Sequence, residues 1–411
     1  LVCDKHGYAQ TKELPYGIYT VHQTKGWDGR ELMSDFDVFV SRDGETCRYI
    51  INNRYFESCL KVVKKDKETG KIIPLAGAGY QIYDSTGALV TMKYTYPEVT
   101  VLDTFYTASN GYLVTPESLP YGDYTLVEVQ APYGYVLDAA PVPFTISGDN
   151  STEEDGVMVV VAEQEDMPQK GKILVAKTVG EFESVQISGG GMPDESGNPV
   201  EGETTYTPVY GVAGKAGAVY DVAAAEDITT PDGTVRAEAG EVVDTVITDG
   251  EGNAETKELY LGKYRIVETA APFGCVLDSE AHEVEIAYAG QEVPVTETGT
   301  AFYNERQKAA VGLTKTLEQD ETFAVGNKGE IQNVAFGLYA AEELSAADGT
   351  SIPAEGLLEI TSCGMDGTAS FQSDLPLGKY YVKEVCTDGH YVLTDKKYPV
   401  EFSYQGQGTA F

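Results

Sequence analysis

"GKYRIVETAAPFG", residues 262–274, reads as a strand running into a turn, and one face of that strand carries Tyr264, Ile266 and Glu268. Near copies occur as "YGDYTLVEVQAPYG" at 121–134 and "LGKYYVKEVCTDG" at 377–389, with a weaker one, "YGIYTVHQTKG", at 16–26. The segment is therefore an internal repeat, and its copies have to be read together. The same alternation gives faces of Tyr124, Leu126 and Glu128 and of Tyr380, Val382 and Glu384, while Thr125, Arg265, Tyr381 and Lys383 fall on the face turned to water. An acid sits on the apolar face each time.

A second motif precedes each copy: "CLKVVKKD" at 59–66, "KILVAKT" at 172–178 and "VGLTKT" at 311–316. Alternate residues are Leu60, Val62 and Lys64; Ile173, Val175 and Lys177; and Val311, Leu313 and Lys315, so a lysine closes an apolar face three times. Counting back 11 residues from each lysine reaches Asn53, Asp166 and Asn304, each ending one repeat as the lysine begins the next. In the first full repeat, the neighbouring Glu165 is an alternative to Asp166.

Buried lone charges cost several kcal/mol unless paired and hydrogen-bonded. A buried Lys–Glu ion pair, or a lysine reaching out at the strand end, accounts for one copy taken alone. Three copies of both, with an amide or acid at constant spacing, point to chemistry. A dry core lowers an amine's pKa and raises that of a carboxylic acid. The lysine then becomes a nucleophile toward the Asn or Asp side-chain carbonyl, with the glutamic acid polarising the carbonyl and shuttling protons. The product is an amide cross-link made once, by the chain on itself.

The wider composition fits such a protein. Gly is abundant, Tyr, Val and Thr cluster in short runs, and "DG", "NG" and "SG" pairs recur between them, which predicts an all-β chain. At 411 residues the repeats divide into 1–57 as the C-terminal part of a domain, 58–168 and 169–306 as full domains, and 307–411 as a domain lacking its final strand end. A net charge of -36 disfavours nucleic acid and anionic membrane faces as partners. There is no run of 18 apolar residues, so no membrane insertion is expected in this segment, and no signal peptide or start Met, so the chain reads as excised from something longer. The six cysteines form no CxxC pair and the four histidines are scattered, so no zinc site or other cofactor is expected. Cys363 and Cys386 could form a disulfide.

The run from 64 to 138, "KKDKETGK…PLAGAGYQIYDSTGALV…NGYLVTPESLPYGDYTLVEVQAPYGYVLD", closely resembles the Cna-B-type, SpaA-like pilin domains of Gram-positive surface proteins. "GKAGAVYDV" with "YLGKYRIVETAAPFG", and "VAFGLYAAEEL" with "LPLGKYYVKEV", are similar to the same elements. The resemblance implies tandem prealbumin-like (reverse immunoglobulin) β-sandwich domains, arrayed as stalks or pili on the cell wall, with Lys–Asn or Lys–Asp isopeptide bonds assisted by a Glu. Carried over, it implies Lys64, Glu128 and Asp166 in the first full domain and Lys177, Glu268 and Asn304 in the second. In the last, Lys315 and Glu384 are present, and matching "GTAF" at 408–411 to "GTAF" at 299–302 places the chain end two residues short of the acceptor. In the half-domain Asn53 stands with Gln23 in place of Glu and no upstream lysine.

No LPxTG-type signal is present, and neither "TYPEVTV" nor "KKYPVEF" gives a "YPK" pilin motif, which favours a stalk segment over a polymerising backbone pilin. Expected partners are the neighbouring domains of a longer chain. A ligand-binding adhesin domain recognising host matrix protein or glycan is the alternative, with the insertion at 181–211, read as a surface loop or added hairpin, as its natural seat. A hydrolase is disfavoured, because the recurring glutamates point into cores and no partner acid recurs.

Overall fold

The computed structural model describes residues 1–95, 98–189 and 204–411. Within them the ordered elements are β-strands, with one short 3-10 turn at Glu330–Asn333. The chain forms two compact units. The first contains residues 1–169, 229–235 and 288–294; the second contains 170–228, 236–287 and 295–411.

In the first unit a four-stranded sheet runs in the order Val142–Ile146, Gly122–Gln130, Gly79–Asp84 and Phe105–Tyr106. A second sheet runs Tyr135–Val136, Val157–Pro168, Glu57–Asp66 and Tyr112–Val114. Leu60, Val62 and Val160 from one sheet pack with Tyr80, Ile82, Leu126 and Ile146 from the other, which makes a β-sandwich core. These are the residues that strand alternation turns inward. Ahead of the sandwich, Gly17–Val21 and Phe36–Val40 pair as an antiparallel hairpin.

The second unit repeats this plan twice. One copy has the sheet Val242–Ile247, Val219–Ala224, Gly262–Ala270, His282–Ile286, packed through Tyr220, Val222 and Ile266 against Ile173, Val175 and Phe302. The other has Leu357–Ser362, Ala335–Ala340, Gly378–Cys386 and Lys397–Phe402, around Phe336, Leu338 and Val382. Lys170–Gly189 is long because it continues into a hairpin with Thr204–Gly214. The predicted insertion is thus built on paired flanks, while 190–203 lies outside the described residues, as do 96 and 97 of "TYPEVTV".

The opening motif owes its shape partly to its tyrosine. Tyr124 Oη donates to Pro120 O at 2.9 Å, Tyr264 to Tyr260 O at 2.7 Å, Tyr380 to Pro376 O at 2.5 Å, and Tyr19 of the half-repeat to Pro15 O at 2.9 Å. In all four strands the hydroxyl satisfies a carbonyl four residues back, and the rings of Tyr264 and Tyr380 are buried in the core. One residue departs from the expected alternation. Tyr381 is buried, stacked on Tyr339 at 5.1 Å between centroids, with Lys397 Nζ 4.2 Å above its ring. Cross-strand aromatic pairing has covered a face that alternation alone gives to water.

A buried glutamine follows each full acceptor strand. Gln169 Nε2 donates to Gly290 O at 2.8 Å and, closely, to Val293 O, while its Oε1 accepts from Ala289 N at 2.8 Å, all within the first unit. Within the second, Gln307 Nε2 donates to Thr409 O at 2.7 Å and Oε1 accepts from Gln405 N at 2.9 Å. Both clamped turns carry a second glutamine: Gln291 Oε1 accepts from Ala131 N, and Gln407 Oε1 from Ala271 N, each at 2.9 Å. Gln307→Ala leaves two backbone groups of the turn unpaired and is expected to cost about 1–3 kcal/mol. Urea unfolding and hydrogen exchange should show this as a lower midpoint and faster exchange at the Gln405 amide; unchanged exchange there would contradict the clamp.

Candidate functional site

The first and last strands of each full repeat lie side by side and parallel. Lys64 is in register with Gln164, which puts Asp166 two residues further along the same face. Lys177 is in register with Phe302, and Asn304 again lies two residues on. The stagger between lysine and acceptor is therefore the same in both full repeats, although the sequence between them differs in length. A glycine turn fixes the lysine backbone from the other side: Lys64 N donates to Gly111 O, Lys177 N to Gly252 O and Lys315 N to Gly367 O. Gly252 has φ +83°, and a Cβ there would stand 2.1 Å from Lys177 O, so the turn tolerates only glycine.

The glutamate comes from the facing sheet. In the first full repeat Lys64 Nζ lies 2.7 and 2.8 Å from the two oxygens of Glu128 and 2.6 Å from Asp166 Oδ1. All three side chains are buried. Glu165 is exposed on the opposite face, which leaves Asp166 as the group beside the amine. Burial pushes the Glu128 carboxyl up to about 8, against the pull of Lys64, and moves Asp166 upward by the same main cause.

In the second repeat Lys177 Nζ lies 3.0 Å from Glu268 Oε1, while Asn304 Nδ2 donates to Glu268 Oε2 at 2.7 Å and closely to Val276 O. The Asp278 amide donates to Glu268 Oε2 at 3.1 Å. Burial lowers the Lys177 ammonium toward the neutral amine. Each full site brings together an amine, a carboxyl-derived acceptor and a proton carrier in a core closed to water.

The other two copies are partial. Lys315 Nζ approaches Glu384 Oε1 at 3.0 Å, but the Lys315 side chain is 26% exposed. Asn53 and Gln23 form an amide pair: Asn53 Nδ2 donates to Gln23 Oε1 at 2.8 Å and to Glu31 O at 2.5 Å, and Met33 N donates to Gln23 Oε1 at 3.0 Å. These repeat the Asn304, Val276 and Asp278 contacts around Glu268, with an amide where the acid stands.

The match of 408–411 to 299–302 does not hold in three dimensions. Leu137 N donates to Gln291 O and Leu277 N to Gln407 O, so residues 404–409 take the place of 288–293; 408–410 then fall before the acceptor strand and 411 at its first position, not at the 299–302 positions within it. Four shared letters misaligned the strand because their setting differs. Cys363 and Cys386 are both free, the first buried and the second exposed, so the disulfide is not formed.

Sequence reasoning missed the glycines at 111, 252 and 367, the clamping Gln169 and Gln307, and Tyr80 and Tyr220, whose hydroxyls reach Glu128 and Glu268. Alignment of the turns "NG" at 110–111, "EG" at 251–252 and "DG" at 366–367, and of the residue three beyond each acceptor, would have exposed the first two groups.

A family model described as the SpaA prealbumin-like fold domain matches residues 58–158, 216–300 and 326–410, together more than half of the chain. No curated protein sequence matches it. Among solved structures, the chain is similar to the Bacillus anthracis TIE protein, with 20% identity over 92% of this chain and 51% of that one and a TM-score of 0.48. It is similar to BcpA, the major pilin subunit of Bacillus cereus, with 15% identity over 84% of this chain and 95% of that one and a TM-score of 0.28. A C-terminal fragment of the pilus adhesin SpaC from Lactobacillus rhamnosus GG gives 12% identity over 61% and 97%, with a TM-score of 0.28. The chain spans about half the length of the first of these.

Removing a buried amine strands its partner, so Lys177→Ala should cost at least about 3 kcal/mol in urea unfolding. Lys315→Ala should cost under about 2 kcal/mol, because its ammonium is already partly hydrated. Equal losses would contradict the difference in burial.

Proposed function

Because the chain belongs to the family of SpaA prealbumin-like fold domains, we propose that it is a structural stalk segment of a Gram-positive surface adhesin or pilin-like protein, hardened by self-made isopeptide bonds. Its domains are 58–168, 169–306 and 307–411, preceded by the end of another at 1–57, and their partners are neighbouring domains of a longer chain at the cell wall. The observation that carries this reading is the placement of Lys177, Glu268 and Asn304, three polar side chains each about 1% exposed, within one core. A core selected only for stability gains more from apolar side chains of similar volume.

The step follows from the contacts. With Lys177 as the neutral amine and Glu268 as the acid protonated on Oε2, the Nζ lone pair forms the C–N bond to Cγ of Asn304 and the carbonyl oxygen takes up the negative charge. Oε2 gives its proton to Nδ2 while Oε1 takes one from Nζ; the carbonyl re-forms, the Cγ–Nδ2 bond breaks and ammonia departs, leaving Glu268 a neutral acid. In the first full repeat Lys64 attacks Asp166 in the same way. The upward shift of Asp166 favours its neutral acid, whose hydroxyl leaves as water, and Glu128 retains its proton at neutral pH. The amide product is uncharged, so the cost of burying an ion pair disappears. Each bond also closes almost a whole domain into a loop, worth about 4 to 5 kcal/mol in the chain-entropy treatment.

In the half-repeat an amide replaces the proton carrier, and no bond forms. A ligand-binding adhesin remains the second reading, and the described residues offer it no feature as specific as the two buried sets. Intact-mass measurement of the denatured chain should give a value below that of the sequence by about 17 Da for the ammonia and about 18 Da for the water. Glu268→Ala should restore the 17 Da alone, and an unshifted mass in the unaltered chain would overturn the proposal.

A further inference from the structure

Two buried tyrosines take no part in the step as written. Tyr80 and Tyr220 are each 0% exposed and lie in register with Glu128 and Glu268 on the neighbouring strand. Tyr80 Oη donates to Glu128 Oε1 at 3.2 Å, and Tyr220 Oη donates to Glu268 Oε1 at 3.3 Å. Their rings also face the amines, with Lys64 Nζ 5.8 Å and Lys177 Nζ 6.0 Å from the ring centroids.

The third copy provides an internal comparison. Phe336 occupies the register position opposite Glu384, buried in the same kind of core. A phenyl ring therefore meets the packing need, and the hydroxyl is an addition that has to be satisfied at a buried site.

We propose that Tyr80 and Tyr220 are positioning residues for the cross-linking step, each hydrogen-bonding Oε1 of its glutamate and so fixing the plane of the carboxyl group between amine and acceptor. The inference rests on the isopeptide reading above. A carboxyl group turns easily about its last bond, and terminal torsions of this kind are broad. In the second repeat the Tyr220 hydroxyl at Oε1 and the Asp278 amide at Oε2 fix the carboxyl plane from both ends. That orientation sets Oε1 beside Lys177 Nζ, which loses protons, and Oε2 beside Asn304 Nδ2, which gains one. Loss of the hydroxyl leaves the ring, the amine and the acceptor in place and frees the carboxyl to rotate.

The test follows bond formation in the full chain made by pulse-labelled cell-free synthesis, sampled over time by intact mass and by cross-linked peptides that identify each bond. Tyr220→Phe should slow the Lys177–Asn304 bond roughly tenfold, about the effect of losing one hydrogen bond to a charged group. The Lys64–Asp166 bond in the same molecules should form at its usual rate, and Tyr80→Phe should reverse the pattern. Tyr220→4-aminophenylalanine restores a donor on the same ring and should restore the rate, which a purely structural role for the ring would not explain. An unchanged rate in Tyr220→Phe, or no rescue by the amino analogue, overturns the positioning role while leaving the isopeptide reading intact. Absence of any mass loss in the unaltered chain overturns both.

Discussion

The parallel pairing of each full repeat's first strand with its last is the constraint on which the rest of the structure depends. It joins residues about a hundred positions apart in sequence, Lys64 to Gln164 and Lys177 to Phe302, and its stagger sets the acceptor two residues beyond the lysine on the same face. Parallel pairing needs a crossover, and here the crossover is the rest of the sandwich. The facing sheet then delivers the glutamate to the lysine and the acceptor, beside a largely apolar layer. A lysine, a carboxyl group and an amide or acid buried together are expensive as charges and inexpensive as a neutral amide plus an acid, so the fold itself drives the proposed bond.

Much of this was legible because strand alternation is a rigid rule. Glu128, Glu268 and Glu384 fell on apolar faces by counting alone, as did Lys64 and Lys177, and all five are buried. The fixed count from acceptor to the next lysine reflects a short, constant link from the last strand of one repeat to the first strand of the next. The family resemblance named the fold and the bond; the alternation located the residues.

What was not legible depended on the third dimension. An aromatic residue on a strand reads as core whether or not its hydroxyl has a target, so Tyr80 and Tyr220 looked like Phe336. Gly252 reads as any turn glycine until its carbonyl is seen to hold the Lys177 amide. Gln169 and Gln307 sit beyond the periodic segments, where polarity suggests solvent, yet both are buried because the turns they clamp cover them. The misplaced match at 408–411 has the same origin: identity over four residues carries no information about which strand, if any, contains them.

The repeats also act as variants of one another, since the half-repeat keeps the contacts of Asn304 and Asp278 around an amide, Gln23, that cannot carry a proton. The central claim is the covalent junction itself. Trypsin digestion of the denatured chain followed by tandem mass spectrometry tests it directly. The account predicts one species containing residues 173–215 and 266–306, uncleaved after Lys177 and joined from its Nζ to the side chain of Asn304. Free peptides 173–177 and 178–215, with 266–306 unattached, would contradict it.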